Sequence, residues 1–160
     1  MQPTETWQES LQRLLPLYGH RNWIVIADSA YPAQISPGVR TVAGHDDHLA
    51  VLRRVLHEID GARHVRPVIT IDSELALMDE ADAPGADAFR TQLNTILDGH
   101  PVTAKPHDDT IARLDAAGQT FSALVIKTTM AMPYTTVFIE LDCGYWDVDA
   151  EKRLRAKVEG

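Results

Sequence analysis

Two histidines and one aspartate stand where the sequence predicts rigid elements to begin or end, and all three side chains are suited to moving protons. His20 precedes the apolar run Trp23–Ala27, which is short and rich in β-branched residues and predicts a buried strand, and Asp28 follows that run. His107 stands between a short predicted strand and a predicted helix. Because an imidazole titrates near neutral pH, His20 and His107 are candidates for general acid and base. Asp28 is a candidate for binding hydroxyl groups or for orienting an imidazole.

Each candidate also has a purely structural interpretation that the sequence leaves open. His20 is compatible with a surface or capping position, His107 with a place beside a helix N-cap, and Asp28 with capping of the turn that follows it. The run Tyr134-Thr135-Thr136 opens the last predicted strand, where its hydroxyls either bind a polyol or simply belong to a sheet, which favours both residue types. The sequence contains no glycine-rich phosphate loop, dinucleotide fingerprint or nucleophile elbow, which counts against nucleotide and acyl chemistry.

The run His45-Asp46-Asp47-His48 offers a metal site as an alternative chemistry. His45 and His48 are three residues apart and would share one helical face. Asp46 and Asp47 are equally well explained as the negative charges that favour a helix N-terminus. A metal-dependent hydrolase or isomerase built on this run is therefore one function to be tested against the structure.

Alternating helix and strand patterns must position these residues. The predicted helices cover residues 4–17 with Thr4 as N-cap, 46–59, 86–97, 108–117 and 151–157. The predicted strands cover residues 22–28, 39–42, 65–71, 102–105, 121–128 and 135–141, with a loop over 74–85. This alternation predicts one layered α/β domain over residues 1–160, with a central, mostly parallel sheet flanked by helices.

Charge and composition narrow the function classes further. The 160 residues suit one compact domain, and a net charge of −8 disfavours binding to nucleic acid or to an anionic membrane. No apolar run approaches the roughly 20 residues that cross a bilayer, and the polar residues 1–12 are not typical of a signal peptide. The single cysteine, Cys143, excludes an intrachain disulfide, and we expect it to be a small packing residue. These features predict a cytoplasmic protein that handles a neutral small molecule, without a nucleic-acid or membrane partner.

Three blocks of the sequence together resemble the D-ribose pyranase and L-fucose mutarotase family, over nearly the whole stretch 11–144. The first block is Gly19-His20, the apolar strand that leads to Asp28, and Tyr31-Pro32-Ala33. The second is His107, which opens a helix ahead of the strand Ala123–Lys127. The third is Tyr134-Thr135-Thr136, which is followed by the apolar residues 137–139.

The sequence departs from the family pattern at a few positions. Thr136 stands where the family usually has Asn, and a hydroxyl cannot replace the carbonyl and the two N–H donors of an amide. Ser29 replaces a small apolar residue, and the helix after His107 is longer than in the ribose branch. In this scheme residues 1–18 are an N-terminal helix, and residues 145–160 are a C-terminal extension without a counterpart in the family.

The resemblance implies a cofactor-independent isomerase, a mutarotase or pyranase that interconverts the anomers or ring forms of a free, ribose- or fucose-like monosaccharide. It implies that His20 and His107 transfer protons, with Asp28 as a third catalytic group and with no metal. Asp28, Tyr134 and Thr136 would bind the sugar. The resemblance also implies a homo-oligomer with sites near the subunit borders. The departure at Thr136 keeps open a non-catalytic sugar-binding or regulatory protein of the same fold.

Overall fold

The computed structural model describes residues 4–160, in which six strands form one sheet with helices on both faces. The strands are β1 Trp23–Ala27, β2 Val39–Ala43, β3 Val65–Asp72, β4 Val102–Lys105, β5 Ala123–Lys127 and β6 Val137–Cys143. The helices are α1 Trp7–Leu14, α2 His48–Asp60, α3 Ala86–Leu97, α4 His107–Ala117 and α5 Val148–Glu159, and short 3₁₀ helices cover Leu15–Leu17 and Ser73–Leu77. Within residues 4–160, no helix has both the length and the apolar character needed to cross a membrane.

Five of the six strands run in the same direction, so the predicted mostly parallel sheet is confirmed. The strand order is β2-β5-β1-β6-β3-β4, and β6 runs antiparallel to both of its neighbours. We call the edge at which Ala27 and Asp72 end their strands the carboxyl edge, and the edge at which Trp23 and Val65 begin theirs the amino edge. Because β6 is antiparallel, it begins at the carboxyl edge and ends at the amino edge.

The burial of β1 on both faces explains why its sequence is apolar throughout. Ile24 and Ile26 pack into the core formed with α1, α2 and α3, whereas Trp23, Val25 and Ala27 pack on the opposite face, which α4 covers. A strand covered on both faces reads as a continuous apolar run rather than an alternating one. The rigid β1 therefore fixes the position of the residue that follows it, Asp28.

The N-cap of the first helix lies two residues later than predicted, and the α-helix ends at Leu14 rather than at residue 17. Its N-cap is Thr6 rather than Thr4, because the Thr6 hydroxyl accepts the N–H of Glu9 while the Glu9 carboxylate accepts the N–H of Thr6. This reciprocal pair of hydrogen bonds satisfies two free donors at the start of α1. The helix gives way to a 3₁₀ turn that contains Pro16. Residues 1–3 of the predicted N-terminal segment lie outside the described residues.

The helix that carries His107 begins at that residue and not at Asp108 as predicted. Pro106 precedes it and provides no side-chain cap. The carboxylate of Glu74, in the 3₁₀ helix after β3, accepts the N–H of His107 at 3.0 Å instead. The sequence pattern placed Glu74 in a loop, so this cap between two elements was not foreseen.

Candidate functional site

Four of the five predicted site residues lie at the carboxyl edge. Asp28 follows β1, His107 begins α4 directly after β4, and Tyr134 and Thr136 precede β6. In a parallel sheet the carboxyl ends of the strands form the usual ligand crevice, and the reversed β6 adds its first residues to the same edge. The structure adds Asp72, the last residue of β3, which the sequence prediction left out.

His107 and Asp72 form a buried pair. The Nδ1 atom of His107 lies 2.7 Å from Oδ2 of Asp72, whose side chain has no exposed surface. Because an ionised carboxylate can only accept, Nδ1 carries the proton in this pair and Nε2 is left to exchange protons with a ligand. Burial raises the pKa of Asp72 to about 6, although His107 acts to lower it. Burial therefore brings the titration of the Asp72 carboxyl closer to neutral pH.

Two further carboxylates influence this pair. Glu74 accepts the backbone N–H of His107 through both oxygens, at 3.0 and 3.1 Å, and so occupies the positive end of α4. Glu74 and Asp28 both add to the rise in the pKa of Asp72. The Oδ1 atom of Asp72 has no hydrogen-bond partner within residues 4–160. A buried and unpartnered carboxylate oxygen is costly, which is typical of a site whose geometry serves a purpose other than stability.

Asp28 is held by Thr136. The Thr136 hydroxyl donates to Oδ1 of Asp28 over 2.7 Å, and the N–H of Asp28 points back to the same hydroxyl at 3.4 Å. Thr136 is buried, so its hydroxyl is committed to Asp28. The Oδ2 atom of Asp28 makes no hydrogen bond to the described part of the chain and remains for a ligand. The structure thus gives Thr136 a supporting position behind Asp28.

Tyr134 lies at the carboxyl edge, beside His107 and two residues before Thr136. Its ring meets the His107 ring edge-on, with the ring centroids 5.7 Å apart, and the side chain is partly exposed. Its backbone has a φ of 60°, in the left-handed region that residues other than glycine rarely adopt. Such backbone strain occurs at binding sites, where the surrounding structure enforces it. Tyr134 therefore presents an aromatic face and a hydroxyl beside the imidazole of His107.

His20 lies at the amino edge, away from the other candidates of the same chain. Its Nδ1 donates to Oδ1 of Asp142 over 2.8 Å, and Arg66 donates to the other oxygen of Asp142 at 2.6 Å. The five residues of β1 separate the two edges by about 13 Å, at roughly 3.3 Å per step. One chain therefore does not bring His20 and His107 to one ligand. His20 opens into a groove of about 640 Å³ between this edge and α5.

Partial burial acts to raise the pKa of Asp142, but hydrogen bonds from Arg66, from the N–H of Cys143 and from His20 outweigh it and hold the pKa below its usual range. The amino edge therefore has a stably ionised carboxylate. Cys143, which the sequence predicts to be a small packing residue, is half-buried at the end of β6. Asp142 and Arg66 carried no signal in the sequence, because their role depends on the pairing of β3 with β6.

The structure does not support a metal site in the run 45–48. His48 is buried, and both of its ring nitrogens are hydrogen-bonded, one to the Thr128 hydroxyl and one to the Thr135 carbonyl. Asp46 accepts the indole N–H of Trp7 at 2.5 Å, so its carboxylate is used in a contact with α1. Among residues 4–160, no three His, Cys, Asp or Glu side chains are grouped as they would be to hold a metal ion.

Comparison with known proteins identifies the fold. No protein-family model and no curated protein sequence matches the chain. RbsD of Bacillus subtilis, solved in complex with D-ribose, is 16% identical with a TM-score of 0.57, covering 89% of this chain and 98% of its own. The fucose mutarotase of Streptococcus pneumoniae, solved with L-fucose, is 16% identical with a TM-score of 0.59 and coverages of 83% and 91%. FucU of Bifidobacterium longum is 18% identical, with a TM-score of 0.53 and coverages of 84% and 92%. The chain therefore has the fold of the RbsD and fucose mutarotase structures, which confirms, at the level of the fold, the resemblance found in the sequence.

Proposed function

We propose that this protein is a cofactor-independent mutarotase or pyranase, which interconverts the anomers or ring forms of a free monosaccharide. The observation that carries the proposal is the His107–Asp72 pair, with Asp28 and Tyr134 on the same edge of the sheet. The similar structures support it, because two of them were solved with D-ribose or L-fucose bound.

The reaction needs a base and an acid. The base removes the proton of the anomeric hydroxyl, the bond between the anomeric carbon and the ring oxygen breaks as the carbonyl forms, and the acid protonates the ring oxygen. Closure on the other face, or through another hydroxyl, reverses these roles. The Nε2 atom of His107 is oriented for one of the two transfers, and the carboxylate of Asp72 stabilises the imidazolium that results. Each such group typically contributes about 10²–10⁴-fold to the rate.

The second proton carrier in this proposal is His20 of the partner subunit. His20 and His107 share one arrangement, since each donates from Nδ1 to an aspartate and its Nε2 makes no hydrogen bond to residues 4–160. They lie on opposite edges of the sheet, so they meet only where the amino edge of one subunit contacts the carboxyl edge of another. The proposal therefore includes a homo-oligomer with sites at its subunit borders.

Sugar binding in this proposal rests on Asp28 and Tyr134. The free oxygen of Asp28 accepts hydrogen bonds from sugar hydroxyls, and Thr136 holds the carboxylate in place. The ring of Tyr134 packs on the apolar face of the sugar, and its hydroxyl forms a hydrogen bond at the rim of the sugar. A neutral substrate fits a site that is rich in carboxylates, because a phosphorylated sugar would be repelled by Asp28, Asp72 and Glu74.

Saturation-transfer NMR on free ribose, fucose and related sugars tests the proposal. The protein should accelerate exchange between ring forms of at least one sugar, and His107→Ala should lower that acceleration at least tenfold, the low side of an acid–base contribution. His57→Ala, on the exposed face of α2, is the matched control and should leave the rate unchanged. Exchange at the uncatalysed rate for every sugar would overturn the proposal.

The position of Thr136 favours one other function. Its buried hydroxyl is committed to Asp28, so it offers the ligand less than an asparagine amide would. A protein that binds a sugar without accelerating its exchange would be a sugar-binding or regulatory protein of the same fold. Titration of the protein with each sugar, observed by NMR beside the exchange assay, separates the two functions.

A further inference from the structure

His48, the first residue of α2, is a buried polar residue that the proposed chemistry does not use. It is 1% exposed, while His45, Asp46 and Asp47 before it are exposed. Its ring lies against the ring of Phe89, with centroids 5.9 Å apart. A histidine removed from water in this way must satisfy both of its nitrogens within the protein.

The two hydrogen bonds of His48 fix its tautomer. Its Nε2 lies 2.7 Å from the carbonyl oxygen of Thr135, which can only accept, so Nε2 carries the proton. Its Nδ1 lies 2.7 Å from the hydroxyl of Thr128. Burial lowers the pKa of His48, which favours the neutral ring. With Nδ1 unprotonated, it accepts the single hydroxyl proton of Thr128 over 2.7 Å, in preference to the Ala27 carbonyl, which lies 3.0 Å from the same hydroxyl.

The two hydrogen-bond partners of His48, Thr128 and Thr135, lie in different segments of the carboxyl edge. Thr128 follows β5, and its N–H donates to the carbonyl of Ala27, the residue before Asp28. Thr135 lies between Tyr134, with its strained backbone, and Thr136, which holds Asp28. The His48 imidazole thus links Thr128, which is hydrogen-bonded to the end of β1 just before Asp28, to Thr135, which directly follows Tyr134.

We propose that His48 is a positioning residue, which sets the segment 129–136 and its Tyr134 in register with Asp28. It does so by fixing the Thr135 carbonyl, and therefore the plane of the peptide that joins Thr135 to Thr136, directly after Tyr134. It is neither a metal ligand nor a proton carrier, because both nitrogens are occupied and the ring does not reach solvent. The effect of this positioning on sugar turnover rests on the proposed function, whereas the effect on the segment does not.

Two variants separate hydrogen bonding from packing. His48→Phe fills the ring volume without either hydrogen bond, and His48→Gln keeps a donor that reaches the Thr135 carbonyl. In hydrogen–deuterium exchange, His48→Phe should accelerate the amides of residues 129–136 about tenfold or more, while those of β1 change little. His48→Gln should return exchange in the segment to within about threefold of the wild type. His57→Phe, at an exposed position of the same helix, is the matched control.

The sugar dependence of turnover gives the second measurement. His48→Phe should raise the sugar concentration for half-maximal exchange about fivefold or more, and His48→Gln should reverse most of that rise. An unchanged segment in His48→Phe, or equal acceleration in the segment and in β1, would overturn the positioning role even if turnover falls. A loosened segment in a protein that turns over no sugar would support the positioning role and contradict the proposed function.

Discussion

The carboxyl and amino edges of the sheet each hold a histidine that donates from Nδ1 to an aspartate, but the surroundings of the two pairs differ. The His107 side chain is 20% exposed and its partner Asp72 has no exposed surface, whereas the His20 side chain is 56% exposed and its partner Asp142 is 27% exposed. Asp142 also receives a hydrogen bond from Arg66, while Asp72 faces no arginine or lysine within hydrogen-bond distance in the described chain. Similar pairs therefore occupy very different electrostatic environments.

This difference shows that the hydrogen bond alone does not define a site. At the carboxyl edge, burial raises the pKa of Asp72 to about 6, which brings its proton exchange close to that of an imidazole. At the amino edge, the hydrogen bonds on Asp142 outweigh its burial and hold its pKa low. The first environment suits a pair that carries a mobile proton, and the second suits a fixed anion that orients His20.

The largest expected contrast is between two matched aspartate variants. Asp72→Asn should lower the rate of sugar exchange about 10²-fold, because a neutral amide cannot stabilise the His107 imidazolium and does not fix its tautomer. Asp142→Asn should lower it about fivefold or less, because water can replace a hydrogen bond at a partly exposed position. Saturation-transfer NMR measures both rates. Equal losses in the two variants would contradict the distinction between the edges.

The pH dependence of stability should differ in sign between the same two variants. Between pH 4 and 6 the folded protein keeps the proton on Asp72 and the unfolded chain releases it, so wild-type stability falls as pH rises, by at most about 3 kcal/mol for a rise in pKa from 3.8 to about 6. Asp72→Asn has no carboxyl at this position, so its free energy of unfolding should increase relative to that of the wild type as pH rises.

Asp142 has a lowered pKa, so it stabilises the wild type above its ordinary pKa, and that stabilisation is lost as pH falls. The free energy of unfolding of Asp142→Asn should therefore increase relative to that of the wild type as the solution is acidified. Because that loss occurs below pH 3.8, urea unfolding of the three proteins at pH 2, 3, 4, 5, 6 and 7 gives the comparison. Parallel curves for the two variants would show that the surroundings of the carboxylates are alike.

The fold followed closely from the sequence because its signals are local. The apolar run of β1 and the helical spacing of α2 and α3 predict their elements to within two residues at each end. The start of α4, by contrast, depends on a distant partner, since Glu74 caps His107 across 33 positions. A cap supplied by another element leaves no pattern in a short window of sequence.

The site was less predictable because it depends on pairing between strands. Asp72 ends β3 as Asp28 ends β1, so a search for acidic residues at strand ends could have found it. The predicted strand stopped at Ile71, which left Asp72 outside it. The separation of His20 from His107 follows from the parallel direction of the strands, which places residues before and after a strand on opposite edges.

A mixing experiment tests whether the two edges meet between subunits. Co-expression of His20→Ala with His107→Ala should restore activity to about a quarter of the wild-type level, since about one border in four then combines an intact His107 with an intact His20 from the neighbour. Each variant expressed alone should stay at least tenfold below the wild type. If the mixture is no more active than the two variants separately, then His20 and His107 do not act together at a subunit border.

The smallest expected effect concerns the support behind Asp28. Thr136→Val keeps the shape of the side chain and removes the hydroxyl that donates to Asp28, so Asp28 loses the hydrogen bond that orients its carboxylate. The sugar concentration for half-maximal exchange should rise about threefold to tenfold, with little change in the maximal rate, because Asp28 binds the sugar while His107 moves the proton. Thr41→Val, at an exposed position of β2, should leave both parameters unchanged. A fall in the maximal rate without a change in this concentration would instead place Asp28 with His107 and Asp72 in the proton transfer, and the carboxyl edge would then hold three proton-transfer groups of one subunit.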